Sequence, residues 1–239
     1  MKSIQFKPWL DLCRAGNLPT IWTNTLCALA VSGGTWDVGG YVVIAASMSL
    51  FYTGGMCLND IFDAGNDAGY KPFRPIPSGR IALRSAAMFT TCLFIAALLL
   101  LLIAPDLNGV PAGIVLLSLI IAYDRFHKGH PAAVILMAGC RLMVFVTAAL
   151  ATFGSIGKAV WIAGAAQFVY IIILSAVAVF EKRFPRGFGF PLIPYMIAGI
   201  SLVDAALIAM LPPSPGIMPV IAASGAALTM AGQRFVRGD

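Results

Sequence analysis

The chain has 239 residues, 59% of them hydrophobic and 11% charged, with a mean hydropathy of +0.89. This excludes a water-soluble globular domain of ordinary make-up, where roughly a quarter of residues are charged. The net charge of +6 does not indicate nucleic acid as a partner, because the basic residues lie in short intervals between apolar runs.

A polar-flanked stretch comes first, with Phe6, Trp9 and Leu10 beside Lys2, Lys7 and Arg14. It reads as a helix lying in the membrane interface. Without a small-residue cleavage site, no removable signal peptide is expected. Eight apolar runs follow, at about 18–36, 39–58, 86–104, 109–123, 131–152, 159–180, 190–211 and 216–233. Most approach or exceed the ~18–20 residues that cross a bilayer as helix. The fourth is short, so it is expected to tilt or to end in a cavity. The runs are continuous rather than alternating, which predicts an all-α bundle rather than a β-barrel. The expectation is one membrane domain over 1–239, embedded in the lipid bilayer.

With eight spans both termini share a side. That side carries every Lys and Arg except Lys158 and Arg141, fourteen of sixteen. The asymmetry places the termini in the cytoplasm. The five cysteines (Cys13, Cys27, Cys57, Cys92, Cys140) have no paired metal-ligand spacing and read as small buried hydrophobes. His127 and His130 flank Lys128 and are expected to be solvated or to face headgroups rather than to bind metal.

The second apolar run ends in Asn59-Asp60-Ile61-Phe62-Asp63-Ala64-Gly65-Asn66-Asp67. If the helix continues, Asp60, Asp63 and Asp67 fall at i, i+3 and i+7, and Asn59 lies four before Asp63. All four then project from one face. Such a face of hard oxygen donors suits Mg²⁺, whose remaining positions phosphate oxygens commonly fill. Lys71, Arg74, Arg80 and Arg84 follow within a segment broken by Pro72, Pro75, Pro77 and Gly79. Acids followed by bases match a ligand that needs both, with the metal bridging carboxylates to a diphosphate and Lys71 and Arg74 holding its other oxygens. A solvated, orienting loop explains the bases but not three phased aspartates on a side that favours positive charge. Two further clusters, Tyr123 to Lys128 and Glu181-Lys182-Arg183, end the fourth and sixth runs. Both are predicted to emerge at the same rim.

At these residues the chain resembles the UbiA superfamily of intramembrane prenyltransferases. The likeness rests on Arg14 and Asn17-Leu18-Pro19-Thr20, on Asn59-Asp60-x-x-Asp63-x-x-x-Asp67, on Lys71-x-x-Arg74-Pro75-Ile76-Pro77-Ser78-Gly79-Arg80, and on Tyr123 with Lys128. The resemblance implies a helical barrel of about eight transmembrane helices around a central cavity. It implies that Asn59, Asp60, Asp63 and Asp67 bind Mg²⁺ and the diphosphate of a prenyl donor, with Asp60, Asp63 and Asp67 catalytic. Lys71, Arg74, Tyr123 and Lys128 would contact the same diphosphate. The donor would ionise, and an acceptor not identified by the sequence would capture the allylic cation.

The family's second motif, Asp-x-x-x-Asp after the sixth span, is absent. Glu181, Lys182 and Arg183 stand there, and no Asp occurs between Asp124 and Asp204. Either Lys182 and Arg183 bind the diphosphate in place of a second metal's charge, or the site binds a prenyl lipid without ionising it. The two alternatives are an Mg-dependent prenyltransferase and a non-catalytic isoprenoid or lipid-precursor component. A secondary transporter lacks support, because no duplicated half is visible. Within the superfamily the chain is more similar to UbiA-like proteins such as those named EboC than to ubiquinone-pathway members.

Arg141 falls inside the fifth run and must face the bundle interior. Two roles are open: an ion pair with Asp204 of the seventh run, or a cavity-facing group that binds a ligand anion or the acceptor. Asn24, in the first run, either lines the cavity or bonds a neighbouring helix.

Overall fold

The computed structural model describes residues 6–127, 132–181, 189–211 and 216–236. Lys128, Lys182 and Arg183 therefore lie outside the described residues. Within them, a short α1 (Phe6–Leu12) and one 3₁₀ turn (Ala15–Asn17) lead into eight longer helices. These are α2 (Leu18–Val31), α3 (Val38–Tyr70), α4 (Leu83–Leu102), α5 (Gly109–Phe126), α6 (Ala133–Phe153), α7 (Lys158–Glu181), α8 (Leu192–Met210) and α9 (Met218–Phe235).

Each apolar run is a helix. Six of the eight, α3 to α8, are long and apolar enough to cross a membrane. The first run departs from its predicted extent: α2 has 14 residues, about 21 Å at 1.5 Å per residue. Twelve of the 14 are buried, because α2 packs against α3, α6, α7, α8 and α9. Thr20, Thr23, Asn24 and Thr25 on this helix suit it to polar contacts inside a bundle rather than to lipid. Gln233 and Arg234 lower the hydropathy of α9. The outward faces of the bundle expose Leu99, Ile114, Ile135, Ile162, Ile173 and Leu202, among others, as expected where acyl chains replace water.

Local signals set the helix ends. Asp37 caps α3, its carboxylate accepting from the Gly40 N–H at 2.8 Å. Gly154 ends α6 with φ of 67°. Nothing interrupts α3 at the acidic segment, so the helix runs through Asp67 and closes against Lys71 N–H, which donates to the Asp67 carbonyl at 2.8 Å.

Two devices hold the site's frame. A Cβ on Gly16 would lie 2.8 Å from the Gly232 carbonyl carbon, so the 3₁₀ turn and α9 meet backbone to backbone. There Gln233 Nε2 donates to Asn17 Oδ1 at 2.9 Å. The segment after α3 folds into a cap whose Ile76 and Ile81 are buried with Leu12, Cys57 and Ala86. Trp9 packs edge-on against Phe89, centroids 4.9 Å apart, beside the same cluster.

Candidate active site

The helices enclose a cavity of about 880 Å³. Its polar mouth is lined by Arg14, Asn17, Asn59, Lys71, Arg74, Tyr123, Asp124 and His127. Below lie apolar walls from Ile21, Met48, Phe51, Leu116, Val144, Ile171 and Ile200. A charged rim over a greasy chamber accommodates an amphiphile with an anionic head and a hydrocarbon tail.

Because α3 stays helical, Asn59, Asp60, Asp63 and Asp67 share one side of it, as their spacing predicts. Asn59, Asp60 and Asp67 are under 10% exposed. Their partners come from three other segments. Arg74 Nη1 donates to Asp60 Oδ1 at 3.2 Å and to Asp67 Oδ2 at 2.7 Å. Arg14 Nη2 reaches the same Asp60 oxygen at 3.4 Å. Asp63 Oδ1 lies 3.2 Å from His127 Nε2, and Asn59 Nδ2 donates to Asp124 Oδ1 at 3.2 Å. His127 is thus not solvated as the sequence predicts. The last turn of α5 carries it inward, where its ring meets Tyr123 at 5.4 Å between centroids.

Backbone conformation places both arginines. Arg14 takes a left-handed φ of 47°, a conformation that costs a non-glycine residue about 1 kcal/mol or more. Its side chain then reaches Asp60. Arg74 is buried with Pro75 and Ile76 in the cap. The cap is closed by Ser78 N–H to the Arg74 carbonyl and Ile81 N–H to the Pro75 carbonyl, at 3.0 and 3.1 Å. Gly79 turns it with φ of 71°. Arg80 lies in this cap without lining the cavity, and bonds the Phe73 carbonyl and Ser78 Oγ.

Among the described residues no three acidic, His or Cys side chains are already grouped to hold a metal. The donor set nevertheless fits a hard divalent cation. Two carboxylates from one helical face lie within 3.2 Å of a single Arg74 nitrogen, so the geometry already brings them to one positive centre. Asp124, 3% exposed, adds a carboxylate whose Oδ2 has no hydrogen-bond partner among the described residues.

Of the remaining predicted residues, Lys71, Tyr123 and Arg141 line the cavity. Glu181 ends α7 and is not part of its wall, although Ser175, Ala178 and Val179 of the same helix are. Of the two roles open for Arg141, the ion pair with Asp204 does not form directly. Asn24 stands between them: Arg141 Nη1 donates to Asn24 Oδ1 at 2.7 Å, while Asn24 Nδ2 donates to both Asp204 oxygens at 2.9 and 2.7 Å. Asn24 therefore bonds a neighbouring helix. The sequence alone assigns no separate role to Asp124 or Tyr52, and it puts His127 in solvent or against headgroups. For Asp124 the available signal was an acid beside Tyr123 at the end of an apolar run.

Comparison with known proteins follows the same line. The sequence profile of the UbiA prenyltransferase family matches residues 18–236. A digeranylgeranylglyceryl phosphate synthase from Haloquadratum walsbyi is 33% identical over 147 residues, 61% of this chain and 49% of that protein. Another, from Methanothrix thermoacetophila, is 31% identical over 177 residues, 73% of this chain and 62% of its own length. The chain thus spans about half to three-fifths of the curated relatives it matches. A digeranylgeranylglyceryl phosphate synthase structure superposes with a TM-score of 0.65 at 19% identity, covering 97% of this chain and 95% of that one. A UbiA homologue from Archaeoglobus fulgidus bound to DMAPP and Mg²⁺ gives 0.63 at 16% identity, covering 93% and 84%. Fold and sequence profile agree over nearly the whole chain: it is a multi-pass integral membrane protein that belongs to the UbiA prenyltransferase family.

Proposed function

We propose that this protein is an intramembrane prenyltransferase that moves an isoprenoid chain from a prenyl diphosphate to an acceptor and depends on Mg²⁺. One observation carries the reading: Asp60 and Asp67 of α3, just behind the wall of an apolar cavity of about 880 Å³, hold Arg14 and Arg74, which line its polar mouth. Family membership and the relatives' names support it. Asn59, Asp60, Asp63 and Asp67 would hold Mg²⁺, which when bound neutralises charge on a leaving diphosphate.

The chain's own groups do the rest. Arg74, Arg14 and Lys71 bind diphosphate oxygens directly, and the Tyr123 hydroxyl donates at the same mouth. Lys128, Lys182 and Arg183, which follow the ends of α5 and α7 in sequence, would add further positive charge. As the C1–oxygen bond of the donor breaks, these cations stabilise the charge that develops on the departing oxygen. The apolar walls hold the chain and keep water from the allylic cation until the acceptor's nucleophile adds and loses its proton. The relatives named here are digeranylgeranylglyceryl phosphate synthases, so a phosphate-bearing glyceryl lipid is one acceptor class to test. The concentration of basic residues at this rim supports a cytoplasmic position for it and for both termini.

The replacement of the second aspartate motif by Glu181-Lys182-Arg183 favours one competing reading, an isoprenoid-binding component that does not ionise its ligand. Diphosphate release decides between them. Protein in nanodiscs, given Mg²⁺ and geranyl, farnesyl or geranylgeranyl diphosphate with candidate acceptors, should liberate diphosphate, and Asp63→Asn should abolish it. Saturable binding without release for every donor would establish the binding component instead.

A further inference from the structure

Arg141 sits eight residues along α6 from Ala133, roughly 12 Å below the start of the helix. It lines the cavity. Among the described residues no carboxylate lies within 4.0 Å of it, since the ion pairs found there all belong to the rim. A guanidinium at membrane depth normally has a direct counter-charge.

The surrounding polar groups explain how this cation is held and why it stays uncovered. Asp204 is fully buried. It accepts three hydrogen bonds from two neutral amides, Asn24 Nδ2 at 2.9 and 2.7 Å and Gln167 Nε2 at 2.8 Å. With its NH₂ committed to Asp204, Asn24 must present its carbonyl oxygen to Arg141. Thr20 Oγ1 adds two long contacts at 3.4 and 3.5 Å. Both residues that bond Arg141, Asn24 and Thr20, belong to α2. Nε of Arg141 makes no hydrogen bond to any described residue. The negative charge of Asp204 thus orients the guanidinium through an amide without occupying its remaining donors.

We infer that Arg141 anchors a second, anion-binding subsite within the cavity, which takes the single oxyanionic group, carboxylate or phosphate, of an otherwise apolar acceptor. Calling the ligand an acceptor rests on the prenyltransferase reading; the anion subsite itself does not. Charge separates it from the donor's place. The rim gathers Arg14, Lys71 and Arg74, enough for a diphosphate, whereas the deep subsite offers one cation. Met48, Phe51, Met137 and Val144 are among the apolar residues that line the cavity with it. One fork-shaped donor in such a wall suits a planar carboxylate or a phosphate monoester on a hydrophobic body.

The test titrates nanodisc-embedded protein with three matched probes: 4-butylbenzoate, 4-butylphenyl phosphate and neutral 4-butylbenzamide. The wild type is expected to bind the anions roughly tenfold or more tighter than the amide, and the tighter anion identifies the headgroup. Arg141→Gln should remove that preference and leave amide binding unchanged. If Arg141→Gln does not fold, Met137→Glu decides, because a glutamate four residues ahead on the same helix pairs with Arg141 from the cavity side. Equal wild-type affinity for all three probes overturns the inference, and so does an anion preference that survives either substitution. Parallel titration with geranylgeranyl thiodiphosphate and Mg²⁺ reports on the rim, where Asp63→Asn should lose binding and Arg141→Gln keep it. Failure of that arm in the wild type removes the donor reading, whereas the deep subsite is judged by the three probes alone.

Discussion

The rim and the deep Arg141 group solve the same problem differently. At the rim, charges touch: Arg74 contacts Asp60 and Asp67 directly, and Arg14 adds to Asp60. Deeper down, Asn24 separates Arg141 from Asp204. Near the membrane surface, water and a cap loop let cations and anions rearrange when a ligand arrives. At depth every rearrangement leaves a charge in a low-dielectric medium, so a fixed amide holds the pieces apart. Charges that pair directly belong where partners are to be exchanged, and charges joined through an amide belong where one donor must stay in place.

Breaking the rim's acids is expected to give the largest functional loss. Asp63→Asn should lower diphosphate release by about a hundredfold or more, as removal of electrostatic stabilisation of a leaving group does, with little change in thermal midpoint. Assays of release against thermal unfolding separate the two effects. Breaking the deep group should do the reverse. Asp204→Ala strands the Asn24 and Gln167 amides beside a buried Arg141, so about 3–5 kcal/mol of stability is expected to be lost, read as a lowered midpoint and poor recovery from detergent.

Arg74→Gln sharpens the contrast. It leaves Asp60 and Asp67 without their shared cation, a cost of about 1–3 kcal/mol that a divalent ion can offset. The gain in melting temperature on adding Mg²⁺ over EDTA should therefore be larger in Arg74→Gln than in the wild type. An equal gain would show that the metal does not share the place Arg74 Nη1 occupies. Gly16→Ala probes the frame. Its methyl would meet Gly232 backbone at 2.8 Å, and overpacking of this kind costs about 1–3 kcal/mol. The smallest effect is expected for Cys13→Ser. Cys13 lies 3.8 Å from Cys57, sulfur to sulfur, and its replacement should leave diphosphate release within about twofold of wild type.

Much of the architecture was written in local pattern. Continuous apolar runs gave the helices from α4 to α9 within a few residues, and the start of α3, which runs on twelve residues past its apolar run to Tyr70, because the cost of unpaired backbone in lipid leaves helix as the available solution. The phased acids of α3 were legible for the same reason, as helical spacing alone puts Asp60, Asp63 and Asp67 on one side. The inner position of α2 was not. The run at 18–36 reads as one more membrane span, and only packing by five neighbouring helices buries twelve of the fourteen residues of α2.

The partners of each charge were equally out of reach. His127 looked like a loop residue beside Lys128, yet the final turn of α5 brings it to Asp63. An ion pair between Arg141 and Asp204 was one of two open roles, but Asn24 comes from a helix more than a hundred residues away in sequence and enters between them. Composition and periodicity, then, determined a helical membrane protein with an acidic face at one rim, because those properties depend on neighbours within one helix. Which cation meets which acid, and which stays open to the cavity, was decided by the tertiary structure, because hydrogen-bond geometry depends on how separate helices cross.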